Sequence, residues 1–245
     1  MMKKGFFALL AGLLLVACTK MPELAPETYT LTVTADKAAG SKALAIDGSG
    51  ALKATWTVGE TVKVYLAGHL DVLGVLTAQS SGQSTTLSGT ISGSFDVGST
   101  LRLEFLDPNY TSQDGTLTGR DSSIDKTCDY ATAEVKVLSI DGDTVTTENA
   151  TFTNRQAILW FTLKQGGSPF LASEMSITVS GASQSITISV TPPSATSELY
   201  VAIPRFYDST FSFSVDALSG ETHYQKSLES QALENGKYYH YTLNL

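Results

Sequence analysis

Apolar and polar residues alternate along much of this chain, and this period of two constrains the fold more than any other feature. In residues 184–190, isoleucine and valine alternate with serine and threonine, and residues 29–34, 62–65 and 176–179 follow the same pattern. Successive side chains of an extended strand point to opposite faces, so each run turns one face toward a core. The pattern predicts strands, and the lack of helical apolar spacing predicts very little helix.

Turn-forming pairs separate these runs, among them Asp141-Gly142, Gly166-Gly167 and Asn235-Gly236. Such pairs tolerate the positive φ that tight hairpins require. Strands separated by turns at intervals of roughly 8–12 residues are typical of antiparallel sandwiches. We therefore predict an all-β fold of two tandem antiparallel β-sandwich domains.

The boundary between the two domains is expected near Gly166-Gly167-Ser168-Pro169, a stretch of turn and linker residues. The apolar run 158–163 just before it is interpreted as a buried strand of the first core. The predicted domains are then residues 29–165 and 168–245.

The amino terminus has the pattern of a bacterial lipoprotein signal. Lys3-Lys4 precede an apolar run over residues 5–17, and the small residue Ala17 stands directly before Cys18. The run is too short to span a bilayer, which needs roughly 20 apolar residues, and an ordinary signal cleavage would not require a cysteine. We expect a signal peptide at 1–17, acyl chains such as palmitate on Cys18, and a lipidated spacer at 18–28. Several acyl chains on one residue anchor a protein stably in the lipid bilayer.

The charge of the chain excludes polyanionic partners. With 24 acidic and 16 basic residues the net charge is −8, and loss of Lys3 and Lys4 with the signal makes it −10. Such a charge repels phosphate backbones and anionic lipid headgroups, so no nucleic-acid partner is expected. With Cys18 acylated, Cys128 is the sole remaining thiol. It has no disulfide partner, and we expect it to be packed inside the fold.

Motifs for catalysis are sparse. The chain has no Gly-x-Ser-x-Gly elbow, no His-Glu-x-x-His pair, no phosphate-binding Gly-x-x-x-x-Gly-Lys loop and no Cys-x-x-Cys pair. Its histidines, His69, His223 and His240, are far apart, and Asp141-Gly142-Asp143 lacks the ligand pattern of a calcium loop. We therefore expect no enzyme, catalytic residue, cofactor or metal. Carboxylate pairs for glycoside hydrolysis depend on spatial rather than sequence spacing, and that alternative stays open.

Several stretches occur in the order of a known family. The chain resembles the fimbrillin family, the lipoprotein-derived subunits and accessory proteins of type V pili. The resemblance spans nearly the whole mature chain. The stretches that carry it are Trp56-Thr57-Val58-Gly59-Glu60-Thr61-Val62-Lys63-Val64-Tyr65, the Gln113-Asp114-Gly115 hairpin, Asp129-Tyr130-Ala131-Thr132-Ala133, Phe152-Thr153-Asn154-Arg155-Gln156-Ala157, Leu199-Tyr200-Val201-Ala202-Ile203-Pro204 and Gly236-Lys237-Tyr238-Tyr239-His240-Tyr241.

This resemblance implies two transthyretin-like β-sandwiches with a role in assembly or adhesion at the cell surface, anchored in the outer membrane. In the first of them, Trp56 is expected to fill the core while Gly59-Glu60 forms a turn. Polymerising members lose their first strand to an arginine-specific protease, and a strand of the next subunit fills the groove by donor-strand exchange.

Two departures from the family pattern limit that mechanism here. No arginine precedes Arg102, and Lys37, Lys42 and Lys53 are the basic residues of the expected loop. Residues 238–245 are expected to be committed to the second sandwich rather than spare. We therefore expect a tip, anchor or accessory subunit rather than a stalk pilin, with other pilus subunits as partners.

The alternative function is a surface glycan-binding lipoprotein of a polysaccharide-uptake system. Exposed coplanar aromatic side chains would favour it. Both tryptophans, Trp56 and Trp160, lie in apolar strand contexts and are expected to be buried, which favours the structural role.

Overall fold

The computed structural model describes residues 28–37, 45–46, 52–53, 55–106, 109–204 and 210–245. Residues 1–17, Cys18, the spacer up to residue 27, and Lys42 lie outside the described residues. The described part is almost entirely strands, with a single one-turn helix, so the prediction of an all-β fold with very little helix is confirmed. Within the same ranges, no helix combines the length and apolarity needed to cross a membrane.

Nineteen strands and one helix are described. The elements up to residue 154 are β1 (Thr28–Lys37), β2 (Ala45–Ile46), β3 (Leu52–Lys53), β4 (Thr61–Leu66), β5 (Val72–Ala78), β6 (Ser84–Ser92), β7 (Thr100–Phe105), β8 (Ser112–Gln113), α1 (Ile124–Thr127), β9 (Ala131–Asp141), β10 (Thr144–Thr147) and β11 (Ala150–Asn154). The elements after it are β12 (Ala157–Gln165), β13 (Ser168–Pro169), β14 (Glu174–Ser180), β15 (Ser185–Val190), β16 (Glu198–Ile203), β17 (Phe211–Ser219), β18 (Thr222–Gln231) and β19 (Tyr238–Asn244).

The first unit differs from the predicted antiparallel sandwich, because it is one mixed sheet that closes on itself, with β1 parallel to β10 and β11. Its strand order is β10-β1-β11-β9-β7-β4-β5-β6, and β6 also pairs with β1, which makes the sheet barrel-like rather than a pair of separate sheets. The inward side chains of these strands form a single core, which includes Leu31, Val64, Leu103 and Phe152. A hairpin turn joins β9 and β10 at the predicted place, where Asp141 ends β9 and Gly142 and Asp143 form the turn.

The second unit has two sheets on either side of a second core. One contains β13-β12-β16 with β19 paired to β12, and the other has the order β18-β17-β14-β15-β8. Leu159, Phe161, Ile177, Val201 and Phe213 belong to the core that the two sheets share. This unit therefore has the two-layered, sandwich-like arrangement that the alternating pattern predicts.

The chain crosses from the first core to the second at a position other than the expected one. Strand β12 pairs with β16 and β19, and its inward residues belong to the second core, whereas Gly166-Gly167 is the turn of the β12–β13 hairpin. The chain leaves the first core after β11, where the buried Gln156 side chain donates to Asp129 Oδ1 and accepts from Tyr130 N. A glycine pair suits a hairpin and a linker equally well, so local sequence does not distinguish the two.

Candidate functional site

The end of β1 is held by a buried cation. The side chain of Lys37 is fully buried, and its Nζ lies 3.0 Å from Glu60 Oε2 and donates to Thr55 O at 3.1 Å. The same Nζ lies 3.8 Å from the ring centroid of Trp56 and 4.6 Å from that of Phe105. A buried charge is costly unless it is paired and hydrogen-bonded. These contacts meet that requirement and fasten the last residue of β1 to the segment before β4.

Trp56 fills the first core beside this cation. It is 1% exposed, and its ring meets those of Phe105 and Phe152 edge to face, with centroids 5.8 and 5.2 Å away. Its Nε1 donates to Ala35 O of β1 at 3.2 Å. The expectation for Trp56 is confirmed, and so is the turn at Gly59, where φ is +88°.

Lys37 is therefore not the loop residue that the sequence analysis expected. It belongs to β1, and a protease cannot reach it while that strand is in place. The alternation of β1 indicates that Lys37 is buried, because Lys37 continues the inward series Tyr29, Leu31, Val33 and Ala35. Of the two other expected cleavage sites, Lys42 lies outside the described residues, and Lys53 lies in β3 with an undescribed side chain.

Strand β1 is the element that closes the first sheet. It pairs with β6 in antiparallel register over residues 28–36, and in parallel register with β10 and β11 on its other side. Its inward side chains are buried in the first core. Withdrawal of β1 would expose unpaired backbone on both sides and open an apolar groove between them, the acceptor geometry for an added strand.

The last strand is committed to the second unit. β19 runs parallel to β12 over their whole length, from the Ile158–Tyr238 pair to the Lys164–Asn244 pair, and Leu243 is buried in the second core. The expectation that this strand belongs to the second sandwich is confirmed.

The predicted hairpin at Gln113-Asp114-Gly115 is not formed, since β8 pairs in parallel register with β15. These three residues instead attach a segment from the first half of the chain to β16. Gln113 Nε2 donates to Ala202 O and Gln113 Oε1 accepts from Ala202 N, both at 2.8 Å, so the side-chain amide pairs with β16 as a neighbouring strand would. Two residues on, Gly115 O accepts from Tyr200 N at 2.9 Å. A Cβ on Gly115 would lie 2.6 Å from the Leu199 side chain, so this close approach requires glycine.

Cys128 has a packing role in the segment that follows Gly115. Its side chain is fully buried in a small cluster with Ile124, Ile158 and Ala202, which confirms the expectation of a packed thiol. Burial raises the pKa of Cys128 to about 11, because an apolar environment disfavours the thiolate. The thiol is protonated at neutral pH and does not act as a nucleophile there.

Trp160 is not in a core, contrary to expectation. Leu159, Phe161 and Leu163 of β12 enter the second core, and the even-numbered residues between them lie on the outer face of the sheet. The segment containing Cys128 covers Ile158 on that face, while Trp160 is only partly buried. The continuous apolar run of β12 hides this alternation. The outer-face residue at the start of the strand, Ile158, is covered by another segment and is therefore also apolar.

Strand register places an aromatic row on this outer face. Tyr200 of β16 and His240 of β19 are the direct partners of Trp160. The ring of Trp160 stacks on His240 with centroids 3.8 Å apart, and on Tyr200 at 5.9 Å with 9° between the planes. Tyr238 stacks at 6.1 Å. Sequence reasoning missed this row, since the residues come from three strands far apart in the chain.

A carboxylate is fixed beside the row. Glu198 accepts from Trp160 Nε1 and from Thr162 Oγ1, the latter at 3.0 and 3.1 Å to its two oxygens. The Thr162 hydroxyl also shares a 2.8 Å hydrogen bond with His240 Nε2. Burial, followed by the charge of Glu198, raises the pKa of the Tyr200 phenol, which is therefore neutral at physiological pH. No group of three metal-ligating side chains occurs among the residues that the structure describes.

A cleft of about 510 Å³ lies at the Tyr200 end of the row. Its walls are β16, the loop 115–118 and the loop 192–196, and Tyr200 and Glu198 line it. This volume is within the range of roughly 300–1,000 Å³ that is usual for small-ligand sites.

Comparisons with known proteins find distant structural similarity. No family model matches the chain, and no curated protein matches it either. A candidate cell adhesion protein from Bacteroides ovatus has a TM-score of 0.46 and 16% identity, covering 87% of this chain and 92% of its own. One from Bacteroides uniformis has a TM-score of 0.44 and 14% identity, covering 87% and 93%. A fimbrial assembly protein from Parabacteroides distasonis has a TM-score of 0.41 and 12% identity, covering 88% and 92%.

Proposed function

We propose that this protein is a lipid-anchored, fimbrillin-like component of a type V pilus, with a structural and adhesive role and no catalytic one. It serves as tip, anchor or accessory subunit rather than as stalk. The observation that carries the proposal is β1, a regular strand that closes the first sheet and is paired on both sides. The transthyretin-like topology implied by the family resemblance is part of the proposal, as is an outer-membrane location at the cell surface.

Strand β1 has the properties that a displaceable strand needs. Its interactions with the rest of the sheet are backbone pairing, the alternate inward side chains, and outward hydrogen bonds of Thr32 with Ser88 and of Asp36 with Ser84, and a strand of the same sequence can supply all of them. The Lys37–Glu60 pair and the hydrogen bond from Trp56 Nε1 to Ala35 O secure its end. Strand β19 is paired along its length, so it is not free to act as a donor strand.

The lipid anchor is tested with Cys18→Ala in a host that processes lipoproteins. Wild-type protein is expected in the membrane fraction with a metabolically incorporated fatty-acid label, whereas the variant is expected to be unlabelled and released. The reason is that the acyl chains supply the membrane affinity, while the acidic body supplies none. Cys128→Ala is the matched control and should retain both label and membrane location. Label retained by Cys18→Ala would contradict the anchor.

Strand exchange is tested on purified mature protein cleaved by a lysine-specific protease. The cleaved protein is expected to stay monomeric and to take up a labelled peptide with the sequence of residues 28–37, because the peptide restores the backbone pairing and inward side chains of β1. The same peptide carrying Leu31→Asp is the control and should not enter, since Leu31 is fully buried.

Two outcomes of the exchange experiment would contradict the proposal. Failure of the matching peptide to enter after β1 has been released would show that β1 is not exchangeable. Ladders of self-linked subunits that resist heating in detergent would show a stalk pilin instead of an accessory or terminal subunit.

One observation supports the alternative role in polysaccharide uptake. Trp160 and Tyr200 are partly exposed on the outer face of the second unit, so the expected burial of Trp160 no longer argues against it. However, the rings of the row stack on one another, and His240 covers one face of Trp160. The row is therefore not an open platform for a long polysaccharide chain, and we favour the pilus role.

A further inference from the structure

The cleft beside Tyr200 exists because two chain segments meet at the edge of a sheet. Strand β16 has β12 as its neighbour on one side. On the other side, Gly115 O accepts from Tyr200 N, and the chain then continues past the strand as the loop 115–118. The loop 192–196 forms the facing wall. The attachment of Gln113 and Gly115 to β16 therefore positions one wall of the cleft.

Tyr200 lines the cleft and also packs against the cluster around Ile158 and Ala202. Trp160 stacks on the β12 side of the ring with nearly parallel planes, so the opposite side faces away from β12, where the cleft lies. Leu117, Pro192 and Pro193 add further apolar surface to the lining. An aromatic face with negative partial charge attracts C–H groups that carry a slight positive charge.

The polar side chains that line the cleft all carry oxygen atoms. Glu198 lines it with a carboxylate that Trp160 Nε1 and Thr162 Oγ1 already orient from behind. A carboxylate has about four lone-pair sites. The contacts from Trp160 and Thr162 occupy three of them at most, so Glu198 can accept one further hydrogen bond. Threonine and serine hydroxyls, which both donate and accept, complete the lining.

Charge determines which ligands fit. Glu198 is the one charged side chain among the described residues of the lining, and the whole chain carries −8. Phosphorylated, sulfated and carboxylated ligands are therefore repelled. A fitting ligand is neutral, has hydroxyl groups for Glu198 and the loop hydroxyls, and has an apolar C–H face for Tyr200.

We propose that this cleft binds a neutral carbohydrate, with one sugar ring stacked on Tyr200 and one of its hydroxyl groups donating to Glu198. The volume of about 510 Å³ accommodates a short oligosaccharide. The proposal goes beyond the pilus role and does not depend on it, because binding is measured on the purified protein without an anchor or partner subunits.

The test is binding of the purified mature protein to an array of gluco-, galacto-, manno- and xylo-oligosaccharides, with sulfated and sialylated glycans beside them. Binding of at least one neutral oligosaccharide is expected, with affinity then measured by calorimetry. Tyr200→Ala should weaken it by about tenfold or more, the order of magnitude for losing one stacked ring. Glu198→Gln should weaken it by roughly three- to tenfold through loss of a charged acceptor, and Tyr200→Phe should retain most of the affinity.

Matched controls separate binding from folding. Glu174→Gln changes an exposed glutamate on the other sheet and should leave the affinity unchanged. Glu198 is itself exposed, so Glu198→Gln should keep the wild-type melting temperature and still bind more weakly. This variant keeps the test decisive even if Tyr200→Ala fails to fold.

Three results would overturn the proposal. They are no neutral glycan bound on the array, unchanged affinity in both folded variants, or binding confined to the sulfated and sialylated glycans. Selection of a peptide from a displayed library that requires Tyr200, with no glycan bound, would assign the cleft to a protein partner instead.

Discussion

Replacing Trp56 with alanine is expected to lower the free energy of unfolding of the first unit by about 3–5 kcal/mol, the usual cost of deleting a large buried aromatic side chain. Trp56 is 1% exposed, packs edge to face on Phe105 and Phe152, and lies under the ammonium group of Lys37. The substitution leaves a cavity, removes the hydrogen bond to Ala35 O, and takes away the ring beside a buried charge. The loss is a large part of the roughly 5–15 kcal/mol that stabilises a domain.

The measurement is hydrogen exchange followed by mass spectrometry under increasing denaturant. Peptides from β4 should lose protection at lower denaturant in Trp56→Ala, while peptides from β14 should change little, since they report on the second core. Trp160→Ala is the matched control, and we expect it to cost about 1–2 kcal/mol because that side chain is partly exposed. Equal effects of the two substitutions would show that Trp56 does not fill the first core as described.

Replacing Gly115 with alanine is expected to destabilise the second unit by about 2–4 kcal/mol. Two costs combine at this position. The residue has φ of +72°, where an L side chain is strained by roughly 1–2 kcal/mol. In addition, the new Cβ would lie 2.6 Å from Leu199 Cδ2 and 2.9 Å from Val190 Cγ1, and overpacking of this kind costs about 1–3 kcal/mol.

Gly119→Ala separates the two costs. Gly119 also has positive φ, at +92°, but a Cβ there meets nothing within 4 Å, so only the backbone strain of roughly 1–2 kcal/mol is expected. Thermal melting of both variants measures the difference, which is the steric term. A Gly115→Ala protein as stable as Gly119→Ala would mean that Gly115 does not approach Leu199 and Val190 so closely, and would contradict the described wall of the cleft.

The local features of this fold follow from the sequence alone, because short-range rules determine them. The period of two identifies the strands and their inward residues, and it assigns Lys37 to the same face as Tyr29 and Leu31. The Asp141-Gly142 turn follows from its backbone preferences. The burial of Trp56 and the turn at Gly59 follow from the family-like stretch around them.

Only the tertiary structure decided which strands pair and what covers each outer face. Pairing of β1 with β10 and β11 closes the first sheet, yet nothing local to β1 specifies strands more than a hundred residues away. Gln113 pairs with Ala202 across 89 positions. Trp160 meets Tyr200 and His240 through register on both sides of β12. The period of two tells which residues share a face, but partner, register and covering segment depend on side-chain packing between distant parts of the chain, and these create the cleft beside Tyr200.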